Sequence, residues 1–164
     1  MKETNKKHLN IRKSTIKDVS LILKLIKELA VFEKMENQVS ASEESLRESL
    51  FGDIPYAHVL IAEYKSVPVG YALYFFNFST FLGRPGLYLE DIFVLENYRG
   101  KGIGMALFKE CASIAKEKKC NRMDWVVLDW NPARTWYDSI GGKALKEWVL
   151  YRLKDNALDK LVDL

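Results

Sequence analysis

Between residues 86 and 117 the hydrophobic pattern changes period across a stretch of bare backbone. "GLYLEDIFVL" (86–95) is β-branched and aromatic and reads as a strand. From Ile103 onward, Ile103, Leu107, Cys111 and Ala115 recur at every fourth position, which is the spacing of a helix face. The join is Arg99-Gly100-Lys101-Gly102-Ile103-Gly104. Alternating glycines let consecutive backbone N–H groups face one concavity, and a helix N-terminus adds positive potential there. Such a loop suits a pyrophosphate; a glycine-rich turn that only links strand to helix is the competing reading.

Spacing excludes three familiar phosphate loops. A dinucleotide fingerprint needs a third glycine at position 105, which is Met105. A P-loop needs Ser or Thr after Gly-Lys, but Gly100-Lys101 is followed by Gly102. A kinase glycine loop fails on the same spacing.

The remaining chain supplies a sheet around this unit. Val19, Ile22, Leu23, Ile26, Leu29 and Ala30 make an amphipathic helix with Asp18 as its expected N-cap. Ser42 opens a second helix that ends near Gly52. "HVLIAEY" and "VPVGYALYFFNF" flank Lys65-Ser66 as a hairpin. "MDWVVLDW" (123–130) is a further strand, "PARTWYDSIG" a short helix with Pro132 in its first turn, and "EWVLYRL" a last strand before a helical turn at 156–164. The fold class is therefore α/β, a mixed sheet flanked by helices.

At 164 residues, one domain over 1–164 is expected. A net charge of +3 lends no support to nucleic-acid binding, and no apolar run reaches the ~20 residues that span a bilayer. Met1 to Asn10 is polar and lysine-rich, unlike a secretory leader. Cys111 and Cys120 do not make a disulfide framework, so a reducing, cytoplasmic location is expected. With His8 and His58 they have no metal-ligand spacing, and no metal is expected.

Taken whole, "YLEDIFVLENYRGKGIG" resembles the acetyl-CoA-binding motif of the GNAT superfamily of N-acetyltransferases. "LIKELAVFEKMENQV", "YLEDIFV", "VLDWN" and "EWVLYRL" narrow the resemblance to the spermidine/spermine group, which includes diamine and thialysine acetyltransferases. The resemblance implies the GNAT fold, a mostly antiparallel mixed sheet, and a homodimer. It also implies direct acetyl transfer from acetyl-CoA to a primary amine of a diamine, polyamine or thialysine-like substrate, without a metal. By the same resemblance the cofactor is held by Ile92, Phe93, Val94, Arg99, Gly100, Lys101, Gly102, Ile103, Gly104, Met105, Asn131 and Ala133.

Acetyl transfer to an amine needs a proton removed from an ammonium of pKa near ~10. It also needs donors for an oxyanion and an acid for the departing thiolate. The resemblance gives the first role to Glu90, the second to the main chain of Ile92–Val94 and the third to Tyr137. Phe32, Glu33, Glu90, Asp91 and Trp148 fall at its substrate-side positions. Read without it, Tyr137 packs a core, Glu90-Asp91 is a charge pair with its members on opposite strand faces, and Trp148 is ordinary packing.

Two departures stand out. Trp130-Asn131-Pro132-Ala133 is one residue shorter than the group's W-N-x-P-A. The segment before "YLED" carries Ser79 and Phe81 where polyamine enzymes have an acid and a Trp, which favours a shorter amine. A protein or peptide acetyltransferase and a non-catalytic CoA-binding domain are the rival functions.

Overall fold

The computed structural model describes residues 8–154 and 156–163; Met1 to Lys7, part of the segment judged unlike a leader, lie outside them. The described chain forms two compact units, one ending at Val126 and one beginning at Val127.

The first unit is a five-stranded sheet in the order β1-β2-β3-β4-β5. Its strands are β1 (Leu9–Lys13), β2 (His58–Tyr64), β3 (Val67–Ser79), β4 (Arg84–Val94) and β5 (Met123–Trp125). All neighbours are antiparallel except β4 and β5, which run parallel. Among the described residues the α-helices of this unit are α1 (Val19–Glu33), α2 (Glu43–Phe51) and α3 (Ile103–Glu117). The β2–β3 turn is the expected Lys65-Ser66 pair, both at positive φ (51° and 63°), the twist that matches a two-residue hairpin.

Alternation along the strands divides the core. Ile22 and Leu25 of α1 and Leu50 of α2 pack with Val59, Ile61, Tyr71 and Phe93 on one face of the sheet. On α3 all of Ile103, Leu107, Cys111 and Ala115 are buried, and this helix lies against β4 and β3.

Asp18 occupies the N-cap position of α1 as expected, but its side chain makes no capping hydrogen bond to that helix. Its carboxylate accepts from the Thr15 N–H (2.7 Å) and from the two terminal guanidinium nitrogens of Arg12 at 2.8 Å each. Arg12 also holds Glu63 at 2.7 Å, so one cation ties β1 to β2 and to the entry of α1. Arg12 pulls the Asp18 carboxyl down to about 2. A depressed folded-state pKa stabilises above the unfolded value and loses that contribution as pH falls through the folded one. Asp18→Asn should therefore cost about 2 kcal/mol at neutral pH. In urea melts the gap to wild type should close as pH approaches the Asp18 value of about 2; a constant gap would assign the loss to packing.

Two strand expectations fail. β5 stops at Trp125 and does not run to Trp130. Its last pairing is Leu89 with Trp125, one residue short of a bulge at Glu90, and a bulge bends and twists the strand that carries it. "EWVLYRL" forms no strand, and Trp148 and Tyr151 are 74% and 90% exposed. β-branched and aromatic residues fit a pleated surface, but a strand also needs a ladder partner for its main chain.

The second unit contains α4 (Ala133–Ser139), with Pro132 at its N-cap as the first-turn proline anticipated, and α5 (Asn156–Val162) at the expected terminal helical turn.

Candidate active site

The glycine loop is built to leave donors unused. Gly100 and Gly102 sit at φ 73° and 80°, a region that side chains with a Cβ rarely adopt. Gly102 is the N-cap of α3 and has no side chain to satisfy the first turn. The first helical bond runs from Ala106 N–H to Gly102 O at 3.0 Å, so the N–H groups of Ile103, Gly104 and Met105 are offered to an acceptor outside the helix. That arrangement, with the positive end of a 15-residue helix behind it, suits a phosphate group.

Both cations of the loop fold back. Arg99 Nε donates to Val94 O (2.9 Å), and its guanidinium lies 4.4 Å from the Phe32 ring and 5.5 Å from that of Phe93. Lys101 Nζ donates to Asn97 O (2.8 Å) over the Tyr98 ring. Arg99 pins the loop to the end of β4, Lys101 ties it to the turn that follows, and both keep positive charge at its rim.

Upstream, β4 carries the second element. Leu73 pairs with Asp91 and Tyr74 with Leu89, leaving Glu90 as the extra residue of a bulge. Beyond it, Ile92, Phe93 and Val94 pair with Ala72, Tyr71 and Gly70 on the β3 side. On the other side the ladder to β5 has already ended at Leu89. A strand edge of this kind can take an extended, amide-bearing chain as an added strand.

The third element is acidic. Glu90 is exposed, whereas Asp91 turns toward the α1 face, where Tyr71 Oη donates to its Oδ2 at 2.9 Å. Burial first, then the charges of Glu90 and Glu33, push Asp91 up to about 6; the Tyr71 hydrogen bond opposes them. Burial also raises Glu33, the last residue of α1. Phe32, one residue earlier, stacks with Phe93 at a ring distance of 6.4 Å. Phe32, Glu33, Asp91, Phe93 and Arg99 thus meet where α1 ends against β4. Tyr71 joins them and was missed, because an inward tyrosine on a strand reads as core.

In the second unit, Tyr137 is buried on α4 beside Trp136, and burial raises its phenol pKa. Asn131 Oδ1 accepts the Ala133 N–H at 2.9 Å, at the first residue of that helix. Trp148 is exposed in an irregular segment. At the β3–β4 turn Ser79 is buried and Phe81 is 97% exposed.

The family model described as "Acetyltransferase (GNAT) family" matches residues 24–141. The chain belongs to the GNAT family. A thialysine N-epsilon-acetyltransferase from Bos taurus is 42% identical over 163 residues, covering 92% of this chain and 95% of the relative. An L-ornithine N5-acetyltransferase from Arabidopsis thaliana is 30% identical, covering 92% of this chain and 86% of its own. An integron cassette protein from the mobile metagenome of V. cholerae superposes with a TM-score of 0.81 at 29% identity, over 96% of this chain and 99% of that one. The GNAT assignment accounts for the strand, glycine loop and helix as one unit, and it makes the chain an acetyltransferase. Among the described residues no group of three or more His, Cys, Asp or Glu is placed to hold a metal.

Proposed function

We propose that this GNAT protein transfers acetyl from acetyl-CoA to the primary amine of a small cationic substrate, a thialysine-like amino acid or a short diamine. The observation that carries the substrate class is the cluster of carboxylates where α1 meets β4. There Glu33 and Asp91 are partly desolvated beside Glu90, and no Lys or Arg among the described residues pairs with any of the three. Partly buried carboxylates without a cation of their own attract one from outside. Likeness to a thialysine and an ornithine acetyltransferase supports the same class. Ser79 and Phe81, in place of an acid and a Trp, favour the short amine over a long polycation.

In this reading the α3 N-terminus and Gly100–Gly104 hold the pyrophosphate, and the β4 edge at Ile92–Val94 aligns the pantetheine arm. Glu90, exposed on its bulge, takes the ammonium proton through water. The neutral amine then attacks the thioester carbonyl, and main-chain donors of Ile92–Val94 steady the oxyanion. As the C–N bond forms and the C–S bond breaks, the nitrogen sheds its second proton to solvent. By the family resemblance, the acid is Tyr137, which gives its phenolic proton to the thiolate and is reprotonated from solvent. Homodimeric assembly, implied by the family resemblance, and a cytoplasmic setting, suggested by the low cysteine content, are further proposals.

Acetyl-CoA consumption against thialysine, ornithine, short diamines, spermine and lysine-bearing peptides tests the assignment. Turnover on thialysine or a short diamine should at least match that on spermine. Strong activity on peptides with none on free amines would overturn it.

A further inference from the structure

We propose that Tyr71 is a positioning residue for the amine substrate: its buried hydroxyl fixes one oxygen of Asp91 and leaves the other, ionised, to receive the substrate's ammonium group. This rests on the small-amine reading above and names a residue that reading does not use.

Packing does not explain the hydroxyl. Tyr71 is completely buried among Ile22, Leu25, Ile61 and Phe93, all apolar. A phenylalanine would fill the same space without burying a polar group, which costs free energy unless it finds a partner. Its partner is Asp91, at 2.9 Å. Asp91 itself sits in a place hostile to charge. Burial and the neighbouring carboxylates of Glu90 on β4 and Glu33 on α1 all favour its protonated form, and only the hydroxyl of Tyr71 on β3 favours the carboxylate. Burial first, and then the same carboxylates with Asp91 itself, push the Tyr71 phenol well above its usual range, so it remains a donor throughout the working pH. Asp91 is not fully enclosed, so a cation can reach it. The bulge at Glu90 places it on the α1 face, beside Glu33 and Phe32.

The sign of the pH effect follows. Donation to the carboxylate lowers the Asp91 pKa, so removing the hydroxyl raises it beyond its value of about 6. In Tyr71→Phe the acid limb of kcat/KM for the amine should move to higher pH. Near neutrality KM for the amine should rise about tenfold, the scale of a hydrogen bond to a charged group. Turnover at saturating amine and KM for acetyl-CoA should stay at wild-type values.

The experiment measures kcat/KM for thialysine at saturating acetyl-CoA, across the pH range around the Asp91 value of about 6, in wild type, Tyr71→Phe, Asp91→Asn and the double variant. Asp91→Asn should abolish this acid limb, and adding Tyr71→Phe to it should change nothing further. An unmoved limb in Tyr71→Phe, or an equal loss in the Asp91→Asn background, would overturn the inference while the wild type still acetylates. No turnover by wild type on any free amine would overturn the substrate reading and this inference with it. Should Tyr71→Phe fail to fold, carboxyl NMR of the wild-type protein decides. An Asp91 resonance titrating as a solvated aspartate does, unmoved by thialysine, overturns the proposal; a raised value that falls when thialysine binds supports it.

Discussion

The Tyr137→Phe enzyme is expected to turn over roughly 10²-fold more slowly than wild type while binding acetyl-CoA equally well, the signature of losing one general acid. The substitution deletes one hydroxyl and keeps the ring, so the contact with Trp136 at 5.1 Å survives. Burial raises the phenol pKa above its ordinary value, which keeps the proton on the oxygen across the neutral range and ready for a thiolate. The shortened approach to α4 bears directly on this assignment. Asn131, Pro132 and Ala133 leave no spare residue, and Asn131 spends its side-chain oxygen on the Ala133 N–H. That hydrogen bond holds the first N–H of α4, the helix that carries Tyr137. Single-turnover measurements under chemistry-limited conditions decide the matter. A Phe variant at near wild-type rate rejects Tyr137 as the acid and gives the role to water or another side chain.

Most of the first unit was legible because its elements announce themselves by period and punctuation. The four buried positions at every fourth residue of α3 placed that helix, and Ser42 placed the start of α2. Lys65-Ser66 placed the hairpin from the strands on either side, although neither residue is a typical positive-φ choice. The strands that failed share a cause. "MDWVVLDW" and "EWVLYRL" have the composition of strands, but strand formation depends on a partner, and composition carries no record of where a ladder ends.

The site divides along the same line. The glycine loop was readable because its backbone turns left-handed at Gly100 and Gly102, a conformation that favours glycine. The acidic cluster was half readable. The residues were named, but strict alternation put Glu90 and Asp91 on opposite faces with no means of seeing the bulge that assigns each its environment. Tyr71 gave no signal, since its position in the strand pattern is that of a core residue and its role lies in one hydroxyl. Asp18 shows the reverse error: the right residue at a helix start, recruited by Arg12 and Thr15 in place of the α1 backbone.

The second large effect is expected at the loop, where two glycines separate a fold requirement from a ligand requirement. Gly102→Val forces a β-branched residue to φ 80° and should weaken acetyl-CoA binding by roughly 10²-fold, with about 1–2 kcal/mol lost from stability. That result alone is ambiguous, because a distorted loop also binds poorly. Gly104 resolves it. It lies in the first turn of α3 with no left-handed φ, and a Cβ built there meets nothing within 4 Å. The fold therefore makes no demand for glycine at 104, and Gly104→Ala should leave stability unchanged or raise it by up to about 1 kcal/mol, the helix preference of alanine. A phosphate drawn against the N–H groups of Ile103 to Met105 would meet the new methyl, so acetyl-CoA affinity should fall by about tenfold or more. Calorimetry and thermal melts on Gly104→Ala read the two quantities separately. Lower affinity in a protein of equal or greater stability marks the glycine as a ligand-binding position; unchanged affinity would reduce the loop to a turn between strand and helix.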